Sequence, residues 1–454
     1  MRDFDLLPQK RCEELFGAAA QAAKRAGVPD IEVMFAASDE SLTRFANNEI
    51  HQNVAERTRS MSIRALWEQR TARVTTNRLH RDGIQAAVDE VIALVKQSEA
   101  DPDLLPLYSG TDQAVEVDRY VADVANASPA YRANCVKDAI RIVESQKQSA
   151  AGIYSTEQTV EAIVNSTGLF RYHGETQAIF SITATAADSS GWAKASDVEF
   201  ADASLVNQLA TTAAEKAAKS ANPRSIPTGR YTVILEPAAV LDLVGQIFHD
   251  FSGTAVADQK SFLSDRLGKK IFGDNITIFD DVANPLQMGA PFDGEGVARK
   301  RLQLVDRGVA KEVAYSRSAA TKAGTAPTGH GFRVPNEAGE APVNIVMAGG
   351  SGSVSDLVAG TTDGILVTRL WYIREVEPYE KIMTGMTRDG TFLIKDGQIV
   401  CGLKNFRFNQ SVVELLRNVE AFSATVRSSG EEAFDMAVPG MKVHNFHFSE
   451  LTTF

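Results

Sequence analysis

The chain has 454 residues, too many for one hydrophobic core and enough for two or three domains. Hydrophobic residues make up 44% and charged residues 23%, a balance that excludes a disordered or fibrous chain. The formal net charge of −11 opposes a broad phosphate-binding face, so a nucleic-acid partner is not expected.

Near the start, residues 10–26 (KRCEELFGAAAQAAKRA) form an alanine-rich amphipathic pattern that stops at Gly27 and Pro29, the signature of a helix. Residues 31–36 (IEVMFA) follow as a strand, and residues 59–67 (RSMSIRALW) alternate polar and apolar like a half-buried strand. Helical spacing returns over residues 82–96. A loose stretch, 97–110, carries two prolines and reads as a surface connection. A second round opens with a helix at 133–146, strands at 159–166 and 177–187, and a helix at 203–219. Residues 220–230 (SANPRSIPTGR) are short, rich in Pro, Ser and Gly, and lie between that helix and the apolar strand 231–235.

The domain boundary is placed in this linker. After it come a helix at 238–251, a helical stretch near 261–270, and then mostly strands and glycine turns: ITIFDD, GVARKRLQLVDRG, NIVMAGG, GILVTRLW and TFLIKDGQIV. The expected fold class is therefore α+β. It has an N-terminal α/β domain, residues 1–222, and a β-rich C-terminal domain, residues 229–454, with helices at its entrance. No repeat of solenoid period stands out.

Motifs of chemistry are sparse. The three cysteines, Cys12, Cys135 and Cys401, are far apart with no CxxC pair, which fits a reducing compartment. The N-terminus (MRDFDLLPQKRCEELF) has no signal-peptide core, and no stretch reaches the roughly 18–20 apolar residues of a membrane helix, so a cytoplasmic location is expected. Of seven histidines only His444 and His447 are close, and their spacing would not put them on one strand face. There is no HExxH, no P-loop and no GxSxG elbow. The glycine-rich residues 349–360 (GGSGSVSDLVAG) read as a bend with close backbone approach, not as a nucleotide loop. Asp293 and Glu295 in PFDGEG read first as a tight turn.

The order of longer segments says more. SMSIRALWEQRTARVTTNRL near the start, SGTAVADQKSFLSDRLGKKIFGDNITIFDD with APFDGEGVARKRLQLVDRGVAKEVAYSRSAATKAGTAPTGH, and TRLWYIREVEPYEKIMTGMTRDGTFLIKDGQIV resemble, in this order, the TldD/PmbA family. The resemblance covers nearly the whole chain. In active TldD-type members it implies an HExxxH helix and a later cysteine holding Zn²⁺, with the glutamate activating water. Laid onto residues 244–249 (VGQIFH), His249 matches the second histidine. Val244 replaces the first, and Gly245 replaces the glutamate. The cysteine region, residues 425–430 before 438–442, has no cysteine, and Cys401 lies too far upstream to take the role.

This pattern is similar to the PmbA/TldE branch. It implies a non-catalytic, metal-free subunit with no cofactor of its own, zinc residing in a TldD-type paralogue, and an extended unfolded or leader peptide as substrate. His249 and His330 are the candidate substrate contacts. The glycine-rich stretch and the strand GILVTRLW are the candidate partner surface. Rival readings are a stand-alone enzyme built from His249, His330, Asp293 and Glu295, and a homodimeric peptide-binding protein.

Overall fold

A computed structural model describes residues 2–199 and 203–452. The first half is one αβββα unit made twice. Helix α1 (Gln9–Arg25), strands β1 (Asp30–Ala46), β2 (Glu49–Trp67) and β3 (Arg70–Thr76), and helix α2 (Arg81–Gln97) form the first copy. A connection carrying the single turn α3 (Ala122–Ala125) leads to the second. That copy is α4 (Pro129–Ser145), β4 (Ser149–Asn165), β5 (Phe170–Thr185), β6 (Ser190–Asp197) and α5 (Ala203–Lys219). The six strands make one sheet in the order β3-β2-β1-β4-β5-β6, symmetrical about the antiparallel β1–β4 pair.

Local chemistry explains the elements. In α1 the buried residues Cys12, Leu15, Ala19, Ala22 and Ala23 fall three or four apart, which gives one apolar stripe, and the chain leaves at Gly27 with φ 78°. The Ser128 side chain caps α4 through the Tyr131 N–H at 3.1 Å, with Pro129 in its first turn. In β1, Ile31, Val33, Phe35 and Ala37 alternate into a core shared with α1 and α2. The partners Val33↔Val164 and Phe35↔Ala162 put β4 in the same register, so all four long helices cover one face.

The opposite face meets the second half of the chain through an apolar patch of Ile163, Leu169 and Phe292 and through polar groups. Arg73 donates to the Val334 carbonyl at 2.6 Å, Arg171 to Gly296 at 3.1 Å, and Lys194 to Gly430 at 2.7 Å.

That second half begins with β7 (Gly229–Leu235) and α6 (Pro237–Val244). The helix gives way to a 3-10 turn, Gly245–Asp250, before α7 (Gly253–Ala257). Then come β8 (Ile278–Asp280), β9 (Leu302–Asp306), β10 (Val309–Ala310), α8 (Arg317–Ala323), β11 (Ile345–Met347) and α9 (Val354–Ala359). The chain continues with β12 (Asp363–Glu377), β13 (Ile382–Lys395), β14 (Gln398–Gly402), β15 (Phe406–Ser411) and α10 (Val412–Arg417). It ends with β16 (Val419–Phe422), β17 (Val426–Ser428), β18 (Met436–Val438) and β19 (Met441–Leu451).

Strand pairing closes a ring, since β12 bonds β7, β7 bonds β19, β19 bonds β15, β15 bonds β13, and β13 returns to β12. Phe406, Phe408, Phe446 and Phe448 cluster within this barrel region and are fully buried. A second sheet, β10-β9-β8-β11-β18-β17, packs beside it. The chain is thus an α+β protein.

Four local expectations change. Residues 261–270 are successive turns rather than a helix: Ser261 is drawn off to the Asp250 carbonyl at 2.8 Å, and Gly268 has φ 77°. The expected helix 238–251 stops being α-helical at Gly245. Of GVARKRLQLVDRG only residues 302–306 pair as a strand. Finally, a bulge at Asn445 (φ 61°) lets Val443, Phe446 and Phe448 all point inward. His444 and His447 therefore do share the outer face.

Candidate functional site

Helix α6 and the 425–432 segment come together, as the resemblance requires of the two stretches that would carry metal ligands. The buried Asp242 carboxylate accepts the N–H groups of Glu431 at 3.0 Å and Glu432 at 2.9 Å through Oδ1. Gln246 donates to the Glu432 carbonyl at 3.1 Å. The other Asp242 oxygen has no hydrogen-bond partner among the described residues. Burial pushes this carboxyl up to about 6, against the pull of those backbone N–H groups. Sequence reading gave no weight to Asp242, because a lone aspartate in an apolar helix carries no motif.

The donor set at this locus does not fit a zinc ion. Val244 is 1% exposed and belongs to the main core cluster with Ile247, Phe248 and Phe251. A Cβ added to Gly245 would lie 2.5 Å from the Ala433 Cβ and 2.8 Å from the Met436 Cε. The space where a catalytic carboxylate would stand is therefore filled by the loop that would have brought the cysteine. His249 is exposed, whereas Val244 is buried. No group of three or more His, Cys, Asp or Glu residues could hold a metal among the described residues.

The remaining predicted residues separate. His330 is 1% exposed. Its Nε2 lies 3.0 Å from Asp280 Oδ1, off the line of a good hydrogen bond, and its Nδ1 lies 3.0 Å from the Thr328 hydroxyl. A fully enclosed imidazole cannot touch a peptide, so the expected substrate contact at His330 gives way to a buried contact with Asp280 and Thr328. Burial works against the Asp280 charge, but His330, Arg299 and the Asn344 N–H hold it below the usual carboxylate range.

Asp293 is also structural, and its carboxylate accepts the N–H groups of Glu295 (2.9 Å), Val297 (3.0 Å) and Gly331 (2.8 Å). The turn reading of PFDGEG holds.

The glycine-rich stretch serves its own chain. Added Cβ atoms on Gly349 and Gly350 would meet the carbonyls of Ser423 at 2.5 Å and Phe422 at 2.7 Å, and Ser353 with Asp356 forms a capping box for α9. Ile365–Val367 of GILVTRLW pair on both edges, with β7 and β13. The close approach that suggested a partner surface is thus made within the chain.

A concavity also lies elsewhere, between the two halves. It has a volume of about 490 Å³ and is lined by Arg64 and Thr71 from the first sheet and by Thr254, Glu295 and Ser316 from the second half. Glu340, 1% exposed, braces its wall by accepting from Ser252 Oγ (2.7 Å), Thr254 N (2.8 Å) and Ser316 N (3.3 Å). Glu295 accepts the Arg317 N–H at 3.0 Å. Burial, with the Asp293 charge beside it, pushes Glu295 up to about 7. Glu295 stands out in the sequence, but Arg64 does not, because it meets Glu295 and Ser316 across the cleft from the other half of the chain, nor does Glu340, which accepts from Ser252 and Thr254 more than 80 residues earlier as well as from Ser316.

Residues 31–95 match the family described as PmbA/TldA metallopeptidase domain 1, residues 106–221 its central domain, and residues 228–450 its C-terminal domain. A metalloprotease of Methanothermobacter thermautotrophicus is 25% identical over 60% of this chain and 62% of that protein, so the match spans about three fifths of that relative. A metalloprotease PmbA homologue of Haemophilus influenzae is 22% identical over 80% of each chain. In fold the chain is similar to the crystal structure of TldE from Thermococcus kodakarensis. The TM-score is 0.85 and the identity 19%, covering 96% of this chain and 100% of that one.

Proposed function

The chain belongs to the PmbA/TldD metallopeptidase family, and we propose that within it the protein is a non-catalytic, metal-free subunit of PmbA/TldE type. It pairs with a zinc-bearing TldD-type paralogue in the cytoplasm, and the pair hydrolyses unfolded or leader peptides. The observation that carries this reading is the packing at α6. Val244 is sealed in the core, Gly245 has no room for a side chain, and His249 faces solvent alone. A catalytic zinc needs three protein ligands converging on one point with a position left open, and of these three residues only His249 carries a metal-binding atom. Asp293, spent on three backbone N–H groups, and His330, enclosed with Asp280, leave the stand-alone enzyme little to work with.

A mixing assay tests the division of labour. This chain alone should leave an unfolded peptide intact, and a mixture with the paralogue should cleave it. Activity of the mixture should vanish with a chelator and with loss of the paralogue's glutamate, and should survive His249→Ala in this chain. Cleavage that follows His249 here, and not the paralogue's glutamate, would overturn the assignment.

A further inference from the structure

Arg64 lies in a cross-strand row of the first sheet, opposite Arg73 on β3 and opposite Glu32 on β1. Two guanidinium groups thus flank one carboxylate. Arg73 takes it, with Nη2 donating to Glu32 Oε1 at 2.6 Å, while the Arg64 Nη1 is left 4.0 Å from the other oxygen. The Arg64 side chain is 3% exposed, yet it donates one hydrogen bond only, from Nε to the Thr71 hydroxyl at 3.0 Å. Among the described residues neither Nη group, the two that form the fork for a carboxylate, has a hydrogen-bond partner, and the residue lines the cleft between the halves. A buried guanidinium with an unused fork is a cation waiting for a planar anion.

The surroundings agree. Near the floor, Arg64, Arg73 and Arg317 face two carboxylates, Glu32 and Glu295, of which Glu295 is only partly ionised at neutral pH. The rim has the opposite sign, where Asp101, Asp103, Asp258 and Glu337 stand against Lys322, which already pairs with Asp103 at 3.3 Å. The volume is that of a cleft for a small organic ligand, well short of a folded chain.

We propose that this cleft binds the free carboxylate end of a short peptide, with the Arg64 fork taking the carboxylate and the acidic rim taking its amino group or a basic side chain. The inference deepens the subunit reading, on which it rests only for the choice of a peptide as ligand. Its test uses this chain alone, so its outcome is independent of the mixing assay.

Calorimetric titration with three probes separates the possibilities: trialanine, trialanine amide, and Ala-Glu-Ala-amide, which keeps its amino group and whose single carboxylate is on a side chain. Trialanine should bind at least about tenfold more tightly than its amide, the usual weight of a charge-assisted pair. The glutamate probe should resemble the amide. Arg64→Gln should abolish the preference. Ser318 is exposed at the mouth, so Ser318→Trp blocks the cleft without disturbing the core and should remove binding even if the Arg64 variant fails to fold. Absence of trialanine binding, equal binding of acid and amide, or binding that survives Ser318→Trp would overturn the proposal, as would preferential binding of the glutamate probe.

Discussion

Restoring the two missing motif residues, Val244→His with Gly245→Glu, should damage the fold and create no zinc site. Val244 is 1% exposed within the main core, so its replacement buries an imidazole with no partner, at about 1–3 kcal/mol. At Gly245 the first added carbon already sits 2.5 Å from Ala433 and 2.8 Å from Met436, and overpacking of this kind costs a further 1–3 kcal/mol or so. The new carboxylate is carried into the same apolar contact, which adds more. The two sites touch, so the terms do not simply add. A combined loss of about 3–6 kcal/mol is a large part of the roughly 5–15 kcal/mol that holds a typical domain together.

The assay is urea unfolding followed by circular dichroism, with Gly245→Ala and Val244→His measured separately, and a zinc titration of each variant. The midpoint should fall for both single changes and further for the pair, and none should retain zinc after dialysis. A double variant that unfolds at the wild-type midpoint and holds one zinc per chain would show that the loop 430–436 yields easily and that the reasoning from packing is wrong.

Glu340 satisfies donors from the first turns of both α7 and α8, so Glu340→Ala should cost about 3–5 kcal/mol and loosen the wall of the cleft. Hydrogen exchange at residues 252–257 and 316–323 would register it, and unchanged protection there would refute the bracing role. Glu295 has a folded-state value near 7, above its value in the unfolded chain. The stability it contributes is therefore complete below about pH 4.5 and lost as the pH rises through 7. Glu295→Gln should match the wild type at pH 5 and exceed it at pH 8 by at most about 3 kcal/mol, and a difference that stays constant across that range would disprove the assignment.

The sequence by itself determined whatever depends on neighbours along the chain. The 3.6-residue stripe of α1 and the alternation in β1 are local facts, and each was legible. The order of segments also gave the family, because it samples the whole chain at once.

Only the tertiary structure decided what depends on which distant surfaces meet. The six strands of the first half join as one symmetrical sheet because β1 pairs with β4, more than a hundred residues on. GILVTRLW is a barrel strand with both edges paired where Ile365–Val367 lie between β7 and β13. The histidines at 444 and 447 share a face because one bulged residue resets the alternation, and backbone conformation of that kind leaves no mark in composition. His330 is a candidate substrate contact in the sequence, and folding encloses it beside Asp280. Arg64 looked like an ordinary strand arginine, and it has an unused fork only because Arg73, nine residues later, reaches Glu32 first. A charge's role depends on what else is close enough to neutralise it, and burial makes that distance decisive where water would have hidden it.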